Sequence, residues 1–220
     1  MTKAKLAKRI DHTALGPETG RAAVEKVCAE AIEHGFYAVC IPPGYVALAK
    51  SLLQNTEVRV CTVVGFPHGQ HRPDVKAFEA ARAVDDGADE VDMVVDVAAL
   101  KEGDRARVLA DLRAVREAAP RPIVLKVILE CSLLSDAEKV AGARLAQEAG
   151  ADFVKTSTGF STGGATAEDV ALLRRTVGQA LGVKAAGGIR DYTTALRMIE
   201  AGASRIGASK SVQIIAGAPD

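Results

Sequence analysis

Short apolar runs rich in β-branched residues alternate along the chain with longer stretches in which alanine and charged residues recur at helical spacing. The short runs predict strands and the longer stretches predict amphipathic helices, in units that repeat roughly every 20 to 35 residues. The eight predicted strands are RIDHTAL, FYAVCIP, VRVCTVVGF, EVDMVVDV, PIVLKVILE, ADFVKTST, GVKAAGG and SRIGAS. The clearest predicted helices cover residues 20–35, 74–87, 104–119, 136–150 and 166–178.

Several predicted helices end in glycine followed by alanine, in the segments DGADE, AGADF and AGASR. Glycine just past a helix commonly adopts the left-handed conformation, which turns the chain away from the helix axis. We therefore expect each of these glycines to return the chain from a helix to the next strand.

The predicted strands are apolar along most of their length, which is typical of a parallel sheet covered by helices on both faces. Eight strand–helix units without a break in composition predict one α/β domain over residues 1–220, a single (β/α)8 TIM barrel with an extra N-terminal helix. An open, doubly wound sheet is the alternative. That fold would be expected to carry G-x-G-x-x-G after its first strand, and the sequence has no such motif there.

Charge and composition narrow the classes of function. The chain has 220 residues, 48% of them hydrophobic, and its 28 Lys and Arg balance its 28 Asp and Glu. A balanced charge gives no indication of a nucleic-acid or membrane partner. The basic N-terminus lacks the apolar region of a signal peptide, and no apolar run approaches the roughly 20 residues of a membrane span. The four cysteines show no CxxC pair, so we expect free thiols in the cytoplasm rather than disulfides or a metal site.

Charged residues interrupt four consecutive predicted strands. Asp92 lies in EVDMVVD, Lys126 in PIVLKVILE, Lys155 in ADFVKTS and Lys184 in GVKAAGG, while Asp11 lies in the first strand. Neither the lumen of a barrel nor the layer under its helices suits a charge, except near the mouth at the carboxyl ends of the strands. We therefore expect these side chains to converge in one pocket, with Asp11 and Lys126 as candidate substrate contacts.

A buried ion-pair network without catalytic function is the alternative interpretation, since structural networks also shift pKa values. Such a network would have to recover several kcal/mol of desolvation for each ion. Three lysines and two aspartates on barrel strands therefore favour a functional site.

Lysines clustered around a carboxylate can produce a nucleophile. An ordinary lysine, with a pKa near 10.4, is unprotonated in only about one molecule in 2,500 at pH 7. A second ammonium group nearby, together with partial burial, can lower a lysine pKa by about three units or more. The carboxylate can then move protons through a water molecule. The cluster thus predicts Schiff-base chemistry, which stabilises a carbanion as an enamine without a metal or cofactor.

Glycine and hydroxyl residues follow the last three predicted strands, in STGFSTGG, AAGGIRD and IGASKS. Backbone N–H groups at such positions bind phosphate, and the loops after strands seven and eight of a barrel often do so. Tight turns also need glycine, so each segment alone is weak evidence. Together they predict an anionic substrate, a phosphorylated sugar or triose. The candidate contacts are Thr13, Gly159, Gly187, Gly188 and Ser209.

Nine segments spread over nearly the whole chain occur in the order of a known family: IDHTAL, VCIPP, VVGFPHG, VKAFEA, GADEVDMVVDVAAL, LKVILE, GADFVKTSTGF, KAAGGIR and RIGAS. On these segments the chain resembles the class I 2-deoxyribose-5-phosphate aldolases. The combination of VKTSTGF, EVDMVV and KAAGGIR is far more specific than any one of them.

The resemblance implies a metal-free and cofactor-free barrel in which Lys155 forms the imine, Asp92 shuttles protons, and Lys184 keeps the amine uncharged and assists proton transfer. The implied reaction is the reversible cleavage of 2-deoxy-D-ribose 5-phosphate to D-glyceraldehyde 3-phosphate and acetaldehyde. It further implies a role in deoxynucleoside breakdown in the cytoplasm and a homodimer or homotetramer.

This sequence departs from the family pattern at three positions near the predicted phosphate site. Ala186 stands where many members have serine, Phe160 replaces a lysine that some carry, and Lys210 follows Ser209 where serine or glycine is frequent. We therefore expect the positive charge that binds the phosphate to be supplied differently, while Asp92, Lys155 and Lys184 are unaffected. Cys40 in VCIPP is expected near the mouth, either as a core thiol or as a target of aldehyde products.

Two other functions remain open at this point. The same lysine could hold pyridoxal phosphate, or the barrel could bind a phosphorylated sugar without catalysis. The pattern also does not say whether Lys126 or Lys184 lies nearer to Lys155.

Overall fold

The computed structural model describes residues 1–220, and all eight predicted strands form in it. The strands are β1 (Ile10–Thr13), β2 (Ala38–Ile41), β3 (Arg59–Val64), β4 (Glu90–Val94), β5 (Val124–Ile128), β6 (Phe153–Lys155), β7 (Gly182–Ala186) and β8 (Arg205–Ala208). Each strand pairs in parallel with its neighbours in chain order, and β8 pairs with β1. The closed barrel confirms the predicted TIM-barrel fold, and the open sheet is excluded.

Helices cover the outside of the barrel, and one of them, α1, precedes β1 as predicted. The helices are α1 (Lys3–Ala7), α2 (Arg21–His34), α3 (Val46–Leu52), α4 (Pro73–Asp85), α5 (Val97–Lys101), α6 (Arg105–Ala118), α7 (Asp136–Glu148), α8 (Ala167–Val177), α9 (Tyr192–Glu200) and α10 (Ser211–Ala216). None of them combines the length and apolar character needed to cross a membrane.

The three glycines expected to end helices do adopt the left-handed region. Gly87, Gly150 and Gly202, which follow α4, α7 and α9, have φ angles of 102°, 80° and 116°. After each, the next N–H returns to a carbonyl of the preceding helix, as in the bond from Ala151 N to Ala146 O at 3.0 Å. These turns lead the chain into β4, β6 and β8, three strands that carry charged residues of the site.

Strand alternation separates an apolar outer layer from a charged lumen. On β4, Val91 and Met93 join the hydrophobic core under the helices, whereas Glu90 and Asp92 belong to the other face of the strand. The same alternation on the remaining strands directs the charged residues inward. The wall formed by β2 and β3 differs, because its inner residues form a small apolar cluster: Ala38, Cys40, Cys61 and Val63.

Candidate active site

The carboxylate of Asp92, in the middle of β4, is the centre of the candidate site. Its Oδ2 atom accepts hydrogen bonds from Lys155 Nζ at 2.9 Å and from Lys184 Nζ at 2.7 Å. Its Oδ1 atom accepts one from Lys126 Nζ at 2.6 Å. The structure therefore brings all three predicted lysines onto one carboxylate, and Lys184 is the one that shares an oxygen with Lys155.

Strand register places Lys155 two residues closer to the mouth than Lys126, which lies opposite Phe153. β6 ends at Lys155, which lies opposite Ile128, the last residue of β5, and opposite Lys184 on β7. The Lys155 side chain is 3% exposed, whereas those of Lys126 and Lys184 are fully buried. Lys155 is therefore the lysine that a substrate entering from the mouth can reach.

Asp11, predicted as a substrate contact, is fully buried on β1 and bonded to protein cations on both oxygens. Its Oδ2 atom accepts from Lys184 Nζ, and its Oδ1 atom accepts from Arg205 Nη1 at 2.8 Å. Lys126, also predicted as a substrate contact, lies 2.7 Å from Glu90 Oε2 in addition to its contact with Asp92. Both residues thus lie beneath Lys155, and neither lines the cavity at the mouth.

Arg205 and Glu90 complete the charged lumen, and the sequence reasoning selected neither. Arg205 opens β8, and its guanidinium contacts Asp11 and lies 3.2 Å from Glu90 Oε2. The guanidinium carbon lies 3.6 Å from the ring centre of Tyr37 and 5.4 Å from that of Phe153. An arginine held between aromatic rings and carboxylates in this way keeps its charge while buried. The only sequence feature that could have indicated either residue is a charge at the first position of a strand. A charged side chain at that position usually lies in solvent.

The ion pairs decide the protonation states inside the barrel. Burial alone would lower the pKa of Lys184, but the carboxylates of Asp11 and Asp92 outweigh it and raise that pKa. The pKa of Lys126 is raised well above its usual value in the same way, chiefly by Asp92. Burial would raise the pKa of the Asp92 carboxyl, but Lys126, Lys155 and Lys184 hold it well below its usual range. Asp92 is therefore a carboxylate and Lys126 and Lys184 are ammonium groups at neutral pH.

A cavity of about 650 Å³ opens at the mouth above Lys155. Its lining includes every residue predicted to contact phosphate: Thr13, Gly159, Gly187, Gly188 and Ser209. Two cationic side chains that the sequence reasoning did not select, Lys26 and Arg190, also line it. A larger groove of about 990 Å³ lies outside the barrel near Lys50 and Asp89, and contains none of the predicted site residues.

The loops after β6 and β7 pack backbone against backbone at this mouth. Gly159, Gly187 and Gly188 have φ angles of 88°, 88° and 78°, which favour glycine. Ala165 N donates to Gly187 O at 3.0 Å, and a Cβ on Gly164 would lie 2.3 Å from that carbonyl oxygen. The close approach requires glycine at position 164 and fixes the shape of the predicted phosphate site.

The three departures from the family pattern lie at the rim. Phe160 is 48% exposed and packs edge-on against Phe66, with ring centres 5.4 Å apart. Ala186 is held by a bond from its N–H to Thr156 Oγ1 at 3.1 Å. Lys210 is exposed just before α10.

All four cysteines are free and buried. Cys40 and Cys61 lie opposite each other on β2 and β3, and their Sγ atoms and a carboxylate oxygen of Asp92 all lie within 4.8 Å of one another. Such a donor set could in principle hold a metal ion. Here Lys126 Nζ lies 3.3 Å from Cys61 Sγ and bonds to Asp92, so an ammonium group takes the place that the metal would need.

Comparison with known proteins agrees with this geometry. Residues 5–218 match the family described as DeoC/LacD family aldolase. A deoxyribose-phosphate aldolase of Streptococcus suis strain 05ZYH33 is 58% identical over 214 residues, which is 97% of each chain. Deoxyribose-phosphate aldolase 1 of Bacillus licheniformis is 54% identical over 99% of this chain and 97% of its own.

A solved structure extends the similarity to three dimensions. The tetrameric deoxyribose phosphate aldolase from Aeropyrum pernix superposes with a TM-score of 0.91 at 34% sequence identity, and the match covers 98% of this chain and 91% of that one. The sequence match and the shared barrel extend over nearly the whole chain. This chain therefore belongs to the DeoC/LacD family of aldolases.

Proposed function

We propose that this chain is a class I aldolase, a lyase that reversibly cleaves 2-deoxy-D-ribose 5-phosphate to D-glyceraldehyde 3-phosphate and acetaldehyde through an imine on Lys155. The observation that carries the proposal is the pair of lysine nitrogens, Lys155 and Lys184, on one oxygen of Asp92. The activity of the relatives, at 54% to 58% identity, supports this choice of substrate.

Imine formation is the first step. The neutral Nζ of Lys155 attacks the C1 aldehyde carbon of the open-chain sugar, and the resulting carbinolamine loses water to give a protonated imine. Asp92 Oδ2, 2.9 Å from that nitrogen, is placed to take the proton lost by the attacking amine. The ammonium group of Lys184, on the same oxygen, is placed to supply a proton to the departing hydroxyl.

Cleavage follows when the C3 hydroxyl loses its proton to the Asp92 carboxylate, directly or through water. The C2–C3 bond breaks, its electron pair enters the enamine on Lys155, and glyceraldehyde 3-phosphate leaves. Protonation of the enamine at C2 and hydrolysis of the imine release acetaldehyde and restore the lysine. The cationic nitrogen of the imine is the electron sink, so the lumen residues have only to position groups and move protons.

The cavity at the mouth supports a phosphorylated substrate. Gly187, Gly188 and Ser209 lie in the loops after the last two strands. Backbone N–H groups in such loops can donate hydrogen bonds to a phosphate. We assign Gly159 and Thr13 to the same end of the substrate, with Arg190 supplying positive charge. The substrate would then extend from these loops to Lys155.

We also propose that residues 1–220 act as one unit and that the protein works in the cytoplasm as a homodimer or homotetramer. The tetrameric relative from Aeropyrum pernix supports assembly. The balanced charge supports a small-molecule partner rather than nucleic acid or a membrane.

Borohydride reduction in the presence of acetaldehyde, followed by peptide mass analysis, tests the proposal. We expect one stable adduct, on Lys155, and none in Lys155→Met, with exposed Lys5→Met as the matched control. An adduct on another lysine, or no adduct, would reject the assignment. A yellow protein that borohydride bleaches would instead favour bound pyridoxal phosphate.

A further inference from the structure

Seven charged side chains fill the barrel lumen, and their charges do not balance. All seven are almost completely buried, Arg205 being the most exposed at 6%. The cations are Lys126, Lys155, Lys184 and Arg205, and the carboxylates are Asp11, Glu90 and Asp92. Four cations therefore face three carboxylates in a space from which water is largely excluded, where an uncompensated charge is costly.

The seven groups form one continuous network from the floor to the mouth. Arg205 joins Asp11 and Glu90 at the floor. Lys184 then links Asp11 to Asp92. Lys155 lies at the far end of the network, beside the cavity, and touches none of the floor residues.

We propose that Arg205 is a positioning residue for the reaction: its fixed charge at the floor engages Asp11 and Glu90 and so leaves Lys155, at the mouth, as the surplus cation of the network. The inference rests on the function proposed above. It assigns a role to a residue that lies outside the reacting group and acts only through Asp11, Lys184 and Asp92.

Contacts with carboxylates decide which cation of the network is the least compensated. A guanidinium group does not deprotonate in proteins, so Arg205 stays charged. Lys126 has carboxylate oxygens at 2.6, 2.7 and 3.9 Å, from Asp92, Glu90 and Asp11. Lys184 has two carboxylates within bonding distance. Lys155 has one, and it shares that oxygen with another ammonium group. Lys155 is therefore the cation with the least carboxylate compensation in the network.

Other titratable groups near the network leave this count unchanged. Cys61 on β3 donates to Asp92 Oδ1 at 3.2 Å, and burial raises the pKa of its thiol. The contact with Cys61 lowers the pKa of Cys40 on β2, so Cys40 needs its own control. On β1, His12 points outward to Glu30, at 2.7 Å.

Two further groups border the network at its ends. At the rim, Glu130 accepts from Thr158 N at 3.2 Å. At the floor, Tyr37 stacks on Arg205. Glu130 bonds to Thr158 alone, and neither Glu130 nor Tyr37 is bonded to Lys155.

The test is the pH profile of the borohydride-trapped acetaldehyde adduct on Lys155, measured in variants that change the charge count. Arg205→Met leaves three cations and three carboxylates. We expect the pH at which adduct formation is half-maximal, the midpoint of the profile, to rise by about one unit or more. Arg205→Lys keeps the charge, so its midpoint should stay at the wild-type value. Glu90→Gln increases the surplus and should move the midpoint to lower pH.

The double variant Arg205→Met/Glu90→Gln restores a surplus of one cation and should return the midpoint toward wild type, which a merely structural role for Arg205 would not do. An unmoved midpoint in Arg205→Met, or in Glu90→Gln should Arg205→Met fail to fold, would overturn the inference. A shifted midpoint in Cys40→Ala would also overturn it, because a thiolate would then enter the count. A wild-type chain with no adduct at any pH would instead reject the proposed function itself.

Discussion

Lys155 and Lys184 lie opposite each other in the register of β6 and β7, and their Nζ atoms meet on the same oxygen of Asp92, at 2.9 and 2.7 Å. The two lysines differ in their carboxylate partners. Lys184 is held as an ammonium group by two carboxylates, whereas Lys155 contacts only Asp92. In the proposed mechanism Lys184 is therefore the acid and Lys155 the nucleophile, although the two share a partner.

The first prediction concerns Lys184→Leu. We expect the aldolase kcat to fall by about 10²- to 10⁴-fold, because the variant loses a proton donor and the electrostatic repulsion between Lys184 and Lys155. Alkaline pH should recover the rate only in part, since it replaces the repulsion but not the donor. The pH dependence of kcat/KM checks this. Full recovery at high pH would mean that Lys184 acts only through its charge.

The second prediction concerns the predicted phosphate site. Gly164→Ala would place a Cβ 2.3 Å from Gly187 O, so the two loops must separate. We expect KM for the phosphorylated sugar to rise at least about tenfold, since misplaced polar contacts with an anion cost roughly 1.5 to 3 kcal/mol. Turnover of unphosphorylated 2-deoxyribose should change little. Gly44→Ala, whose Cβ meets nothing within 4 Å, is the matched control. Equal losses on both substrates would count against this assignment.

The third prediction concerns a buried ion pair between α4 and α6. Lys76 Nζ donates to Asp111 Oδ2 at 2.7 Å and to Val94 O at 3.0 Å, and both charged side chains are buried. Lys76→Met should destabilise the fold by about 3 to 5 kcal/mol, because it leaves an unpaired buried carboxylate.

Urea unfolding measures this loss, and Lys76→Met/Asp111→Leu should recover most of it. The exposed pair of Lys8 and Glu57, at 3.1 Å, provides the comparison, since Lys8→Met should cost no more than about 1 kcal/mol. A double variant no more stable than Lys76→Met would contradict the pairing argument.

The fourth prediction is the response of stability to acid. Burial would raise the pKa of Asp11, but Lys184 and Arg205 outweigh it and hold the carboxyl below its usual range. Its stabilising contribution is therefore complete above the unfolded pKa of about 3.9 and is lost as pH falls through the lower folded pKa. The free energy of unfolding should fall less steeply below about pH 4 in Asp11→Asn than in wild type. Exposed Glu102→Gln should keep the wild-type slope.

The barrel was predictable because its pattern is local. Apolar strands, amphipathic helices and helix-terminal glycines such as Gly87 and Gly150 can each be recognised from a short window of the sequence. Lys155 and Asp92 were predictable as site residues for the same reason, because a charge inside an apolar strand stands out. The predicted strand ends were less accurate: ADFVKTST shortens to Phe153–Lys155, because the residues after Lys155 already belong to the loop at the mouth.

Arg205 and Glu90 could not be recognised in this way. Each is the first residue of its strand, where a charge ordinarily lies in solvent. Their burial depends on closure of the barrel, which brings Arg205 against Tyr37 and Phe153 from distant parts of the chain. The sharing of an oxygen by Lys155 and Lys184 depends likewise on strand register, which sequence patterns leave open in parallel sheets.

The crowding of two lysine nitrogens on Asp92 Oδ2 also sets the stability of the fold against catalysis. A chain selected for durability alone would do better with a neutral side chain in place of Lys155. We expect Lys155→Met to be inactive yet to melt at a higher temperature than wild type in calorimetry, since active sites commonly sacrifice stability for activity. Heat-resistant variants of this enzyme should therefore be sought in its helices and loops, away from the lumen, where tolerance to heat and catalytic power need not oppose each other.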